Sequence, residues 1–126
     1  GATWVGRSFS GDIQHLAKMI KDGIEHKGTA ILDVLQPCVT FNKKNTYQWY
    51  QQRVYKLGEG DDQHDVSNKV AAFEASQMWE DRINIGVYYK TLRSTYEDGL
   101  PQLKDEALVD QSIDDVDVNP LLDRLR

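Results

Sequence analysis

The chain opens on a short block of apolar and β-branched residues, Ala2-Thr3-Trp4-Val5-Gly6, which predicts a strand. Ser10 or Asp12 can then cap a helix in which Ile13, Leu16, Ala17, Ile20 and Ile24 recur at three-and-four spacing, while Lys18, Lys21, Asp22 and Glu25 fall elsewhere. This spacing predicts an amphipathic helix that buries the first five residues. His26-Lys27-Gly28 supplies a cationic last turn and a glycine stop. Thr29 to Leu35 follows as a nearly continuous apolar run broken by Asp33, the pattern of a strand covered on both faces. Strand, helix and strand within the first 35 residues make a βαβ unit, with its two strands parallel across a right-handed crossover.

Beyond this unit, Asn45-Thr46 is a capping signal for a second helix, with Tyr47, Tyr50 and Val54 on one stripe and Trp49 and Arg53 beside it. Residues 58–65 are glycine and acid without periodicity and read as a surface loop. Ser67 can cap a third helix whose faces are set by Val70, Phe73 and Gln77, or by Ala71 and Met78. Residues 83–89 alternate as a half-buried strand does. From Thr91 the pattern weakens, and residues 104–119 are acidic with sparse apolar positions, a composition that wraps over a neighbour or stays mobile. Asn119-Pro120 then opens a short helix with Leu121, Leu122 and Leu125 to bury, marginal without a docking surface.

Composition narrows the function classes. A chain of 126 residues fits one domain or part of one, and no run approaches the roughly 18 apolar residues of a membrane span. With 15 basic against 20 acidic residues and a net charge of -5, a nucleic acid is not the expected partner, because phosphate binding rests on clustered cations. A single cysteine and no signal-like opening point to a reducing, cytoplasmic setting. The chain begins at Gly1 without an initiator methionine, as a piece of a longer protein would.

Cys38 has the sharpest chemical context. It follows Gln36-Pro37 where the second strand should end, and ligands of parallel α/β sheets gather outside the carboxyl ends of strands. Spacing alone leaves three readings open. It could be a small buried thiol, or a nucleophile served by His15, His26 or His64 with Asn42 or Asn45 as orienter. It could also be one ligand of a metal site completed by residues outside the chain. The histidines read as solvated surface residues. The loop Gly58-Glu59-Gly60-Asp61-Asp62, with Asn84 some two dozen residues on, approximates a magnesium motif of thiamine enzymes. It follows a polar helix instead of an apolar strand and carries Glu59 where aspartate belongs, so it reads as solvated. The aromatic group Tyr47, Trp49, Tyr50 and Tyr55 reads as core or subunit interface.

Residues 4–57 resemble the carboxyl-terminal portion of the β subunit of 2-oxoacid:ferredoxin oxidoreductases, the pyruvate and 2-oxoglutarate types among them. The resemblance is strongest at Gly11-Asp12 and in Gln36-Pro37-Cys38-Val39-Thr40-Phe41-Asn42 followed by Asn45-Thr46-Tyr47. It continues more weakly through Ile83–Tyr89 to Thr95-Tyr96-Glu97, and leaves the acidic tail from about residue 100 uncovered.

What the resemblance implies is specific. The fold would be α/β, a partial thiamine-diphosphate-binding fold: a βαβ unit with parallel strands, additional helices and an irregular acidic tail. Residues 1–57 would be the end of the thiamine-binding domain, 58–99 a carboxyl-terminal extension of the β subunit, and 100–126 the acidic tail with its short helix. Cys38 would be the fourth ligand of a four-iron four-sulfur cluster whose other three cysteines lie in the absent amino-terminal half. The whole enzyme, with thiamine diphosphate, magnesium and the cluster, would decarboxylate a 2-oxoacid oxidatively to an acyl-CoA and pass electrons to ferredoxin. Its α subunit, and γ or δ subunits in some versions, would be partners, while this fragment alone would hold no cofactor and catalyse nothing. Isolated, it would expose the edges and faces of its parallel strands, so it is expected to dimerise or to have been cut from a full-length subunit. A non-catalytic interaction or assembly module descended from the same fold is the alternative.

Overall fold

The computed structural model describes residues 1–60, 63–114 and 116–125, and the chain divides into two units, Gly1–Arg93 and Ser94–Arg126. The first unit holds a four-stranded sheet in the order β2-β1-β4-β3, made of β1 (Trp4–Phe9), β2 (Ala30–Leu35), β3 (Val54–Lys56) and β4 (Ile83–Lys90). Helices α1 (Ile13–Glu25), α2 (Tyr47–Gln51) and α3 (Lys69–Ser76) belong to the same unit. Two βαβ units share this sheet. In the first, β1 and β2 pair in parallel across α1, from Trp4 opposite Ala30 to Phe9 opposite Leu35. In the second, β3 and β4 pair in parallel across α3. The β1–β2 pair is parallel as expected, and the units meet where β1 and β4 run antiparallel, so the sheet as a whole is mixed.

Side-chain alternation on β1 separates the helices. Trp4, Gly6 and Ser8 face α1: a Cβ at position 6 would lie 2.5 Å from Met19 Cε, and Ser8 Oγ sits 2.8 Å from His15 Nδ1. Val5 and Arg7 point the other way, into a groove that Ala72, Phe73 and Ser76 of α3 help to line. Residues two apart share a face of a strand, so α1 and α3 cover opposite sides of the sheet. Phe9, Leu35, Tyr50, Ile83 and Ile85 form the core cluster, with Trp49 and Val54 packed on it. Gly86 has φ +122°, beside Leu57, a conformation that only glycine adopts freely.

The capping residues account for the helix starts. Asp12 accepts from the His15 backbone N–H at 3.0 Å, Thr46 from Trp49 N–H at 3.3 Å, and Asn68 from Val70 and Ala71 at 3.0 and 3.1 Å. The third cap is thus Asn68 and not Ser67, whose hydroxyl instead donates to Asp65 at 2.7 Å.

Several expectations are corrected. Met19 is the buried residue of α1, and Ile13, Ala17, Ile20 and Ile24 are exposed, because the helix lies on the sheet along a neighbouring stripe. Strand β2 is the sheet's edge: Leu35 is buried and Leu32 half-buried, and its other residues are exposed, where cover on both faces was expected. Val54 belongs to β3 and not to the second helix. On α3, Ala72 is buried while Val70 and Phe73 are exposed. Strand β4 is inner and buried through Ile83, Asn84, Ile85 and Gly86, where a half-buried strand was expected.

Among its described residues the second unit holds three short 3₁₀ turns, at Glu97–Gly99, Pro101–Leu103 and Leu108–Asp110, and one helix, α4 (Asn119–Asp123). Pro120 stands in the first turn of α4, but Asn119 is the first helical residue and not the cap, which falls on Val118, and Leu121, Leu122 and Leu125 are exposed, five helical residues being too few to build a core of their own. Among the described residues, no helix is long and apolar enough to cross a membrane.

Candidate functional site

Cys38 emerges where the sequence led one to look, three residues past the end of β2. Pro37 is buried and has no N–H for the ladder; Cys38 beyond it is a free, exposed thiol, which corrects the reading of a buried one. The loop that carries it is held by backbone and amide hydrogen bonds. Asn42 N–H donates to the Cys38 carbonyl at 2.8 Å, closing a turn over Val39, Thr40 and Phe41. The Asn42 side-chain oxygen accepts from Lys44 and Asn45 backbone N–H groups at 3.0 Å each, and its amide donates to Asn45 Oδ1 at 2.9 Å. Both asparagines therefore serve the loop. Val39 and Phe41 flank the thiol as exposed apolar side chains, Phe41 at 91% of its free surface.

The three histidines are tied elsewhere, and none is the freely solvated residue that the sequence suggested. His15 pairs with buried Ser8; His26 Nε2 lies 2.8 Å from Thr3 Oγ1; His64 Nε2 donates to the Tyr88 carbonyl at 2.8 Å. Among the described residues no hydrogen bond joins any of them to Cys38, so the cysteine lacks the adjacent base that a nucleophile needs. Burial, with Lys56 adding to it, holds the His15 imidazole below its ordinary value, and Asp12 opposes the shift. Asp12 is itself held low, chiefly by the His15 backbone N–H it accepts, and it pairs with Lys56 at 3.1 Å.

Of the glycine-acid loop, Gly58, Glu59 and Gly60 are exposed, with Gly58 at φ +74° and Gly60 at φ +67°, while Asp61 and Asp62 lie outside the described residues. Asn84 is not aimed at it. Its amide donates to the Ala75 carbonyl at 3.0 Å and its oxygen accepts from Arg82 Nε at 2.9 Å, which ties β4 to the end of α3. Of the aromatic group, Tyr50 is core and stacks edge-on with Trp49 at 5.0 Å between centroids, as expected of a core stripe, while Tyr47 and Tyr55 stay exposed.

One constellation escaped the sequence reading. Arg7 Nε donates to Asp33 Oδ2 at 2.8 Å across the parallel pair in which the two residues are register partners. Its Nη1 donates to the Tyr88 hydroxyl at 3.2 Å, and the guanidinium lies 5.6 Å from the Trp79 ring centroid. Burial raises the Tyr88 phenol above its ordinary value, and its hydroxyl donates to the Asn84 carbonyl at 2.6 Å. The one acid in an apolar strand was the available signal, since it called for a cation at the neighbouring register position.

Residues 38–105 match the family described as the C-terminal part of the pyruvate ferredoxin oxidoreductase beta subunit. The chain is 42% identical over 107 residues to the 2-oxoacid:ferredoxin oxidoreductase subunit beta of a Sulfolobus species, a match covering 78% of this chain and 35% of that protein. It is 40% identical over 111 residues to subunit beta of 2-oxoacid:ferredoxin oxidoreductase 1 from Aeropyrum pernix, covering 81% and 35% respectively. Among solved structures it is similar to the 2-oxoglutarate:ferredoxin oxidoreductase of Magnetococcus marinus, with 2-oxoglutarate, coenzyme A and succinyl-CoA bound there. The TM-score is 0.77 and the identity 28%, over 100% of this chain and 41% of that one. The chain thus spans 35% of the length of these curated relatives. The matched residues start at Cys38 and include β4, and by that match the chain belongs to the C-terminal family of pyruvate ferredoxin oxidoreductase beta subunits.

Proposed function

We propose that this chain is the carboxyl-terminal part of the β subunit of a 2-oxoacid:ferredoxin oxidoreductase, and that it contributes Cys38 as the fourth thiolate of a four-iron four-sulfur cluster. The observation that supports this reading is the solitary, exposed thiol on an ordered loop at the carboxyl end of a parallel strand. Such a cluster takes four thiolates, whereas the chain has one cysteine, and among the described residues no three His, Cys, Asp or Glu side chains converge on a metal position. Cys38 therefore fits one corner of a shared site, with three thiolates supplied from elsewhere in the subunit.

The chain's own residues would act by positioning. Pro37 ends the ladder, Asn42 fixes the turn, and the neighbouring Val39 and Phe41 offer exposed apolar side chains beside the thiol in sequence. Binding takes the thiolate form, so the Cys38 proton is released. The cluster, when bound, supplies one-electron transfer to ferredoxin. Thiamine diphosphate and magnesium belong to the rest of the subunit, where a 2-oxoacid is oxidatively decarboxylated to an acyl-CoA. In this reading residues 1–57 close the thiamine-binding domain, 58–99 extend the subunit and 100–126 form its acidic tail. The α subunit, any γ and δ subunits, ferredoxin and coenzyme A meet the whole complex, which works in a reducing cytoplasm, and the chain alone is not catalytic.

The test is the Cys38→Ser variant of the full-length subunit. It should keep its circular dichroism and lose the four-iron electron paramagnetic resonance signal and most of its iron and labile sulfide. Iron content and spectrum equal to the unaltered subunit would sink the assignment.

A further inference from the structure

Charge is spread unevenly along this chain. Residues 34–58, which run from the end of β2 through the Cys38 loop and α2 to the residues just past β3, hold Lys43, Lys44, Arg53 and Lys56 and no aspartate or glutamate. All 20 acidic residues lie outside that stretch, in a chain whose net charge is -5. The thiol thus sits in the longest acid-free stretch of the sequence.

The fold leaves two of these four cations bare. Lys56 pairs with Asp12 at 3.1 Å, and Arg53 donates to the Trp49 carbonyl at 3.1 Å with its guanidinium 4.4 Å from the Trp49 ring centroid. Lys43 and Lys44 are exposed, and among the described residues neither has an acidic partner. Beside them in sequence stand Phe41 and Val39, 91% and 56% exposed. The turn that presents all four is ordered: Asn42 N–H closes it on the Cys38 carbonyl at 2.8 Å, and Asn42 Oδ1 holds the Lys44 and Asn45 N–H groups at 3.0 Å each.

Exposed lysines around an apolar tip suit a transient partner better than a permanent one. Permanent interfaces run to about 2,000 Å² and more, with apolar cores depleted in lysine, and burying an ammonium group that meets no acid is costly. Electron-transfer encounters are small, below about 1,200 Å², and complementary charge steers them together.

We propose that Phe41, Lys43 and Lys44 form the docking surface for the electron acceptor, a carrier protein with an acidic rim around its own redox centre. This rests on the reading of Cys38 as a cluster ligand. An acceptor seated on residues 39–44 stands beside the fourth thiolate, so that one electron leaves the reduced cluster and enters the oxidised acceptor over a short path. The two ammonium groups draw the carrier in, and Phe41 supplies the apolar contact once it has arrived. The acids of the remaining chain would repel the same carrier elsewhere, which favours approach at this turn.

The test takes the whole oxidoreductase with an acidic two-cluster ferredoxin, and separately with benzyl viologen, as electron acceptor. In the double variant Lys43→Glu, Lys44→Glu the KM for ferredoxin should rise roughly tenfold or more, and the fall of kcat/KM with added salt should flatten or reverse. Its kcat with benzyl viologen, its iron content and its subunit composition should stay as they were. Phe41→Ala should raise the same KM roughly threefold with the salt dependence kept, while Lys69→Glu, at an exposed lysine of α3, should change neither. An unaltered KM for ferredoxin in the double variant, an equal rise in Lys69→Glu, or a double variant that sheds a subunit or its viologen activity would each overturn the proposal. The Cys38 assignment is read apart from this, from iron in Cys38→Ser. Iron kept there counts against the ligand, whereas iron lost there with an unmoved ferredoxin KM in the lysine variant counts against the docking surface alone.

Discussion

Met19 lies across the bare backbone of Gly6, so close that a Cβ added to the glycine would stand 2.5 Å from Met19 Cε and 2.7 Å from Trp4 Cη2. The methionine end can move, but the indole is wedged between strand and helix, within 3.6 Å of a Cβ built at Gly23. Gly6→Ala should therefore destabilise the chain by about 1–3 kcal/mol, the usual cost of overpacking. Gly99→Ala, with open space around its position, should leave the urea midpoint unchanged. An unchanged midpoint for Gly6→Ala would mean that α1 does not sit against β1 as described.

Arg7 and Asp33 should prove unequal partners. Asp33 is half exposed, so losing its carboxylate should cost less than about 1 kcal/mol. Arg7 is mostly buried and also holds Tyr88 and lies over Trp79, so Arg7→Ala should cost about 1–3 kcal/mol through lost packing and hydrogen bonding. Equal losses in the two variants by urea denaturation would show that the ion pair, and not the aromatic cradle, is what Arg7 provides.

His15 should make stability depend on pH in the mildly acidic range. The unfolded chain takes up the imidazole proton as pH falls through about 6.5, and the folded chain takes it up only at lower pH, because burial disfavours the charged ring. Stability is therefore full above 6.5 and declines as pH drops from there toward the folded value. Asp12 adds a loss of the same sign below 3.8, its carboxylate being held ionised in the fold. Lys18, Lys56, Glu59 and His64 line the same cleft, so His15→Gln is the variant that isolates the imidazole. It should flatten the change in unfolding free energy between about pH 7.5 and 5.5; an unaltered slope would reassign the effect to its neighbours.

The exposed loop around Cys38 should tolerate change while remaining accessible. Phe41→Ala should shift the melting temperature negligibly, since almost none of its ring is buried. A chromogenic disulfide should titrate one thiol per chain without denaturant, Cys38 being exposed and unpaired. Titration that needs urea would contradict the exposed position.

Much of this was legible because local signals and global structure agree. The Asp12 and Thr46 caps, the βαβ order and the strand from Ile83 all follow from periodicity and capping chemistry. Strand β3 was not, since three residues cannot display an alternation. The isoleucines of α1 were placed in a core because apolar spacing reveals which face wants cover, not whether this segment supplies the cover. Histidine is ambiguous for a related reason: His15, His26 and His64 find partners on Ser8, Thr3 and Tyr88, far from them in sequence or on another element. The place of Cys38 could be read from Pro37 and the strand before it, whereas the role proposed for it calls for three further thiolates, and this chain has a single cysteine.

Strand β4, last of the four in sequence, joins β3 to the β1–β2 pair in the sheet. During synthesis the β1–α1–β2 half can form before β4 is made, but β3 has no strand to join until Ile83–Lys90 has left the ribosome. Assembly of the sheet is therefore a late event that closes long stretches of chain at once, and it should be slow compared with the local helix formation that precedes it. A nascent chain stalled short of Lys90 would leave the β4 side of β1 unpaired, an open strand edge exposed to aggregation and to quality control.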